Sequence, residues 1–475
     1  MKMKMTWNRL WVRHGWNLKP IIGKEWNEDT HFRAHEETDE NMKFLTSCLT
    51  KANVLFNYNE DLKLLIVESA PPEEEQWLSV VNAKYRGRTE MCGIYTEDRQ
   101  LNIYQLDTFS SGVVRQVNRL GIQTEYSCDG HGKRNPFLDV QKGVSGQHLM
   151  ELLQALGIPC RINRENPQRD TIKILTSQEQ LLDLAEQLST IDQAWLASGV
   201  SIEEHLFQIE LEQLLNVPGK SGNEGEIRQH VAMKLRPFVD TMRTDSYGNL
   251  LAEKTYGSGK GRVILVNAHL DIVRELIPGR QILKTDGVWS SSEGILGADD
   301  RAGIAILLQI SKYLQTSRFT GTVKYILTVE EEVGLIGASE VDVAFLQNVD
   351  AAFVLDRRGS GDIVTSCAGI EYFCTDSFGS AIEEIAGISE AGEWKCTPGG
   401  SSDTRIWAAA GIQSVNLSVG YQNEHTNAES LHVGDCYNTV TLLKSLFLNT
   451  RMLMPSIREL KRYQATRERI SKKIV

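Results

Sequence analysis

The chain has 475 residues, 41% of them hydrophobic, and a formal net charge of −11. That is material for about two to four domains with sizeable cores, and the acidic balance excludes a general nucleic-acid or anionic-membrane surface. No run of 18 apolar residues implies a membrane span, no apolar stretch follows Met1-Lys-Met-Lys-Met-Thr-Trp7 to make a secretory signal, and eight cysteines without a Cys-x-x-Cys pair exclude a disulfide framework, so the expected location is cytoplasmic.

In chain order, residues 1–105 give no clear fold. Trp7, Trp11, Trp16 and Trp26 crowd the start, and tryptophan is costly to expose, so this stretch is expected to pack on something. Ala70-Pro-Pro-Glu-Glu-Glu75 reads as a turn into a helix with acids in its first turn. Residues 106–200 hold an approximate repeat: Val114–Ile122 and Met150–Ile158 both read as a helix ending at glycine and turning into a strand. Two further strand pairs and a helix over 178–188 predict a compact α+β module. Within it, Ser127-Cys128-Asp129-Gly130-His131-Gly132 contains residue types that bind metals or act as nucleophiles. No partner ligands stand at a recognisable spacing, so a hairpin turn is the expectation there.

From about 203 to 455 the pattern becomes α/β, with strands alternating with helices. This predicts a mostly parallel sheet with helices on both faces. Residues 456–475 read as a basic helix or tail.

The chemistry concentrates where apolar strands end. Val263-Ile-Leu-Val-Asn-Ala-His269-Leu-Asp271 is a buried strand ending in an imidazole, with a carboxylate two residues on. In extended chain these two side chains share a side, at the sheet edge where open α/β folds bind ligands. Tyr325-Ile-Leu-Thr-Val329 ends in Glu330, Glu331 and Glu332, and Ala351-Ala-Phe-Val-Leu355 ends in Asp356. Clustered carboxylates repel unless a cation neutralises them. Adding Asp299 and His425 gives two imidazoles and three acids, His269, Asp299, Glu332, Asp356 and His425. These donors suit zinc, manganese or cobalt, and are too many for one catalytic ion with an open position. Two ions sharing a carboxylate fit better. Adjacent strand-end residues point opposite ways, so Glu332 can ligate while Glu331 faces a water. His432 is the alternative to His425. Asp403 and Arg405 are expected to be a helix cap and a surface cation.

At this point the chain resembles the co-catalytic zinc exopeptidases typified by peptidase T and the glutamyl aminopeptidases. The resemblance runs over about 203–455 and rests on an ordered set: Ser221-Gly-Asn-Glu-Gly225, Asp245-x-x-Gly-Asn249, His269-Leu-Asp271, Gly297-Ala-Asp-Asp-Arg-Ala-Gly303, Glu331-Glu-Val-Gly334, Asp356 and His425. It implies an aminopeptidase with two divalent ions, most simply Zn2+, with Co2+ or Mn2+ as alternatives. His269 and Asp356 would hold one ion and Glu332 and His425 the other, with Asp299 bridging. Asp271 would orient His269, and Glu331 would be the general base for a water whose pKa the metal lowers from about 15.7 toward 7. The implied partner is a peptide or small amide substrate, and a homo-oligomer is compatible with the resemblance. A deacylase or carboxypeptidase would carry the same motifs, and a non-catalytic binding protein is the reading from another class. The chain departs from the family in lacking the usual long lid insert, with only 42 residues between Asp356 and Gly399.

Overall fold

The computed structural model describes residues 5–21, 30–83, 86–87, 101–197 and 201–474. The chain divides into two compact units, Met1–Glu203 and Glu204–Val475. No helix of the described residues is long and apolar enough to cross a membrane.

The first unit contains two four-stranded sheets. One runs in the order Lys19–Pro20, His31–Arg33, Leu64–Val67, Phe56–Asn59, antiparallel throughout. The expected tryptophan packing is present in a form that Trp77 completes: Trp7, Trp11, Trp16 and Trp77 are all buried, and Trp7 stacks on Trp11 at 4.7 Å between ring centroids. Trp26 lies outside the described residues. The helix after the Pro-Pro turn is Glu74–Val81, with Glu74 and Glu75 in its first turn. The other sheet runs Thr124–Cys128, Phe137–Gln141, Arg169–Ile174, Cys160–Asn163, also antiparallel, with helices Ser111–Arg119, Val144–Ala155 and Gln180–Ser189.

The second unit is built on a nine-stranded sheet. Its centre is parallel. The Arg262–His269 strand lies between Gly321–Thr328 and Ala351–Arg357, and Gln413–Ser418 pairs in parallel beyond the latter. Toward both edges the pairing turns antiparallel, through Leu250–Tyr256 and Thr241–Thr244 on one side and Asp362–Cys367 on the other. The central strands are buried on both faces, as their near-continuous apolar runs require. Ile264, Val266 and Ala268 point into one core with Ile304, Ile306 and Leu443, while Leu265 points into the other with Trp407 and Leu346. This alternation is the period of two expected of a strand. The long helix of the first core, Ala298–Leu314, comes unusually close to the sheet at Gly303, where an added Cβ would stand 2.0 Å from the Leu355 carbonyl oxygen. Only glycine allows that approach.

A small second sheet, absent from the sequence reading, joins Ile282–Thr285, Val288–Ser291, Ser430–His432 and Tyr421–Gln422. The last helix is Met454–Ile474.

Candidate functional site

The sheet register decides where the site lies. His269 pairs opposite Thr328, and Asn267 opposite Val354. The carboxyl ends of three adjacent parallel strands therefore deliver His269, the Glu330–Glu332 turn and Asp356 to one edge.

Asp271 organises that edge. Its carboxylate accepts hydrogen bonds from Ser221 Oγ at 2.8 Å and from the main-chain N–H groups of Glu331 and Glu332 at 3.0 and 3.1 Å. Its Oδ1 stands 3.3 Å from His269 Nδ1. One buried acid thus positions an imidazole and two glutamates. The strand stops at Thr328, and Glu330 adopts a left-handed φ of 51°, so Glu331 and Glu332 diverge because they sit on a turn, not because they alternate along a strand. Asn249 supports the same turn: its Oδ1 accepts the Val329 N–H at 3.1 Å and its Nδ2 donates to Gly337 O at 2.8 Å. Asp245 holds Asn249 in place, accepting three main-chain N–H groups at 2.9–3.0 Å. Glu224 accepts the Glu330 N–H at 3.3 Å. The short motifs Ser221–Gly225 and Asp245–Asn249 are therefore scaffolding for the glutamate turn.

Asp299 stands between two imidazoles. Its Oδ1 is 3.0 Å from His269 Nε2, and its Oδ2 is 3.1 Å from His425 Nε2. His269 Nε2 is also 3.5 Å from Asp356 Oδ1, and His425 Nε2 is 2.9 Å from the Glu332 carboxylate. His425, not His432, makes these contacts. His432 lies on a strand paired with Val288. The neighbouring Asp300 accepts the main-chain N–H groups of His269 and Gly303 at 3.0 Å each. Ligand atoms of His269, Asp299 and Glu332, and of His269, Asp300 and Asp356, lie within 4.8 Å of one another. Imidazole and carboxylate donors without sulfur fit a catalytic divalent cation of the zinc, cobalt or manganese type.

Two further acids belong to the site. Asp403 stands at the N-cap position of helix Thr404–Ala409, but its side chain makes no capping bond: it is buried, and its Oδ2 accepts hydrogen bonds from Thr328 Oγ1 at 2.5 Å and Asn267 Nδ2 at 3.3 Å. Arg405 is the expected surface cation, paired with Glu371 at 2.7 Å. Glu429 is buried and accepts the N–H groups of Gly297 and Asp299 at 2.7 and 3.0 Å, fixing the loop that presents Asp299. Its place in Glu424-His-Thr-Asn-Ala-Glu429, four residues after His425, was the only signal in the sequence.

Residues 296–442, which include Asp299, Glu332, Asp356 and His425, match the sequence model of the family described as M42 glutamyl aminopeptidase. Over these residues the chain is similar to the glutamyl aminopeptidase-like metallopeptidases. A protein of Acetivibrio thermocellus provisionally named an aminopeptidase is 24% identical, the match covering 51% of this chain and 98% of that one. Peptidase T of Clostridium botulinum (strain Hall) is 35% identical over 108 residues, 22% of this chain and 26% of its own. Among solved structures, aminopeptidase PepT from Bacillus cereus ATCC 10987 covers 51% of this chain and 98% of its own, at 19% identity and a TM-score of 0.47.

The electrostatics of the metallopeptidase unit follow from crowding. Burial and then the Asp356 charge push Glu331 up to about 10, and burial and then Asp299 push Glu332 up to about 8. Burial also raises Asp356. Burial alone would lower His269, but its contacts with Asp271, Asp299 and Asp356 hold it well above its ordinary value. The Asp299 contact, against a smaller effect of burial, raises His425 to about 9. Asp299 resists burial through its two imidazoles and stays below its ordinary range, and Asp271 does so chiefly through His269.

These shifts give the metal-free chain a definite pH dependence. Glu331, Glu332, Asp356, His269 and His425 all bind protons more tightly folded than unfolded, so their contribution is complete below their unfolded pKa values and is lost as pH rises through the folded ones. For Glu332 that window runs from 4.5 to about 8. Asp271 and Asp299 act oppositely, but only below 3.8, outside it. The thermal midpoint of the second unit in chelator-treated protein is expected to be higher at about pH 5 than at about pH 8, and added zinc should shrink the difference by binding the ionised groups. An apo midpoint that rises over this range would contradict the assignment.

A second expectation concerns Glu429. Glu429→Ala leaves the Gly297 and Asp299 donors without an acceptor, at about 1–3 kcal/mol per buried donor, so roughly 2–6 kcal/mol in all. Urea unfolding should show this loss, with Glu429→Gln intermediate. An unchanged midpoint would mean that the loop does not need this acceptor.

Proposed function

We propose that the second unit is a metal-dependent aminopeptidase that holds two divalent cations, zinc in the simplest case. The observation that carries this reading is the position of Asp299 between His269 and His425, each imidazole having its own second carboxylate, Asp356 or Glu332. Two ligand pairs sharing one acid are the arrangement that a two-cation site needs. When bound, the cations supply Lewis acidity to the substrate carbonyl and acidify a water.

The chain's own residues do the rest. Asp271 holds His269 in one orientation through Nδ1, leaving Nε2 for the cation. Tyr421 donates its hydroxyl to Asp356 Oδ1 at 3.0 Å and fixes that carboxylate. Glu331, held by its main chain on Asp271, takes the proton from the attacking water and passes it to the leaving amine.

The choice of aminopeptidase follows the description of the matching family and the named relatives. A panel of aminoacyl-arylamides, N-acyl amino acids and short peptides tests it, assayed with chelator and with zinc, cobalt or manganese restored. Free-amine substrates should be cleaved, chelator should abolish cleavage, and metal should restore it. Cleavage of blocked but not free N-termini would make the enzyme a deacylase or carboxypeptidase instead.

A further inference from the structure

The first unit holds a cluster of ligating side chains of its own. Ligand atoms of Asp107, Cys128, Asp129 and His131 all lie within 4.8 Å of one another. Among the described residues the only other groups this tight are the two at the metallopeptidase site. We propose that Asp107, Cys128, Asp129 and His131 form a separate binding site for a zinc-type cation.

The backbone explains how the four converge. The Thr124–Cys128 strand delivers Cys128, and the chain then turns through Gly130, His131 and Gly132, with φ of 80°, 50° and 67°. This turn brings His131 Nδ1 to 3.2 Å from Asp129 Oδ1, the oxygen that also accepts the His131 N–H at 2.9 Å. Asp107 arrives from about 20 residues earlier, ahead of helix Ser111–Arg119, and its Oδ2 accepts the Asp129 N–H at 3.1 Å. No motif spacing connects it to the turn, so the fourth ligand is invisible in the sequence. Space beside it depends on Gly87, where an added Cβ would stand 2.0 Å from Asp107 Oδ1.

Charge gives the cluster its meaning. Asp107 and Asp129 are only 6% and 4% exposed. Among the described residues neither forms an ion pair with lysine or arginine. Arg86 lies within electrostatic range but spends its guanidinium on Leu106 O, Val81 O and Ser111 Oγ. Two buried acids without a directly paired lysine or arginine are a costly arrangement, and Asp107 holds its proton more tightly, through burial first and then Asp129. A bound divalent ion removes that cost.

The competing use of the cluster is a nucleophilic cysteine. That chemistry needs an electropositive setting which ionises the thiol. Here burial, then the neighbouring acids, push the Cys128 thiol up. Sulfur, imidazole and carboxylate together are instead the donors of zinc and its analogue cobalt, whereas calcium and magnesium take all-oxygen sites. On binding, the Cys128 Sγ–H proton leaves to solvent and the thiolate ligates. The His131 side chain is 58% exposed, which leaves a path for the ion from solvent.

Cobalt titration of the full-length protein tests the site. The ligands proposed for the metallopeptidase site include no sulfur, so a thiolate-to-cobalt charge-transfer band in the near ultraviolet reports the Cys128 site alone and is independent of peptidase activity. The band should saturate at one sulfur-bound cobalt per chain. In Cys128→Ser it should vanish, with one equivalent less bound metal. His131→Ala, at an exposed position that folding tolerates, should shift the titration to higher cobalt by about tenfold or more. No band at saturating cobalt, a band that survives Cys128→Ser, or an unshifted His131→Ala titration in a protein of unchanged circular dichroism would overturn the proposal.

Discussion

Glu331→Gln is expected to keep its metal and lose turnover. The substitution preserves the side chain's length and volume at a half-buried position, and the main-chain hydrogen bond to Asp271 at 3.0 Å does not depend on the side chain. Asp271 therefore still orients His269 and the Glu332 turn, and the proposed ligands keep their positions. What the amide cannot do is take a proton. Positioned general acid–base groups contribute about 10²–10⁴-fold, so kcat should fall by that factor while KM changes little. Metal analysis of the purified variant, set beside its kinetics, separates the two effects. A variant that retains turnover removes Glu331 from its role, and one that has lost metal shows that the side chain was a ligand.

The parts of this site that could be read in the sequence are those in which a local rule fixes a direction. A continuous apolar run ending in His269-Leu-Asp271 says buried strand, then two polar groups on one side. The structure places both groups at the carboxyl edge, with Asp271 serving the glutamate turn as well as the imidazole. Parallel neighbours follow from the alternation of strands and helices, and they bring Glu332 and Asp356 to the same edge. Long-range closure is harder to read. Glu429 and Asp403 look like ordinary loop and cap acids in the sequence, because their partners are main-chain groups and hydroxyls 75 or more positions away. Asp107 joins Cys128 in the same way, through a fold contact that no spacing announces.

The edges of the sheet are hard to read in the sequence for a different reason. A mostly exposed strand four residues long, such as Thr241–Thr244, carries too few positions for periodicity to stand out. The small second sheet did carry one usable signal. Thr285-Asp286-Gly287-Val288 is an Asp-Gly pair between short strands, and φ of 49° and 79° at its two central residues is the primed turn that such a pair favours. That hairpin pairs with Ser430–His432, just beyond Glu429. Strand pairing thereby anchors the chain a few residues past His425, which lets an exposed loop hold an imidazole against Asp299 and Glu332.

Asp299→Ala and His425→Ala should separate the two halves of the centre. Asp299 touches both imidazoles, so its removal takes one donor from each half and leaves His269 and His425 facing each other without the acid that pairs with both. Bound zinc should fall toward zero, and activity should drop on the order of a thousandfold or more, since metal-ion charge stabilisation is worth several kcal/mol and each 1.36 kcal/mol is tenfold. His425 serves only one half, on an exposed loop, while Asp299 keeps its contact with His269 and its main-chain bond to Glu429, and Asp356 keeps its contact with His269. His425→Ala should therefore retain about one ion per chain at the proposed centre while losing most activity. The loss in metal-free protein reports the contacts of this 47% exposed side chain with Asp299 and Glu332, and any larger loss in the metal-loaded protein measures the missing ion. If Asp299→Ala keeps the same metal content as His425→Ala, the shared-carboxylate arrangement is wrong and the centre is two independent sites or one. If His425→Ala keeps both ions and full activity, the closing ligand lies elsewhere on the 421–432 segment.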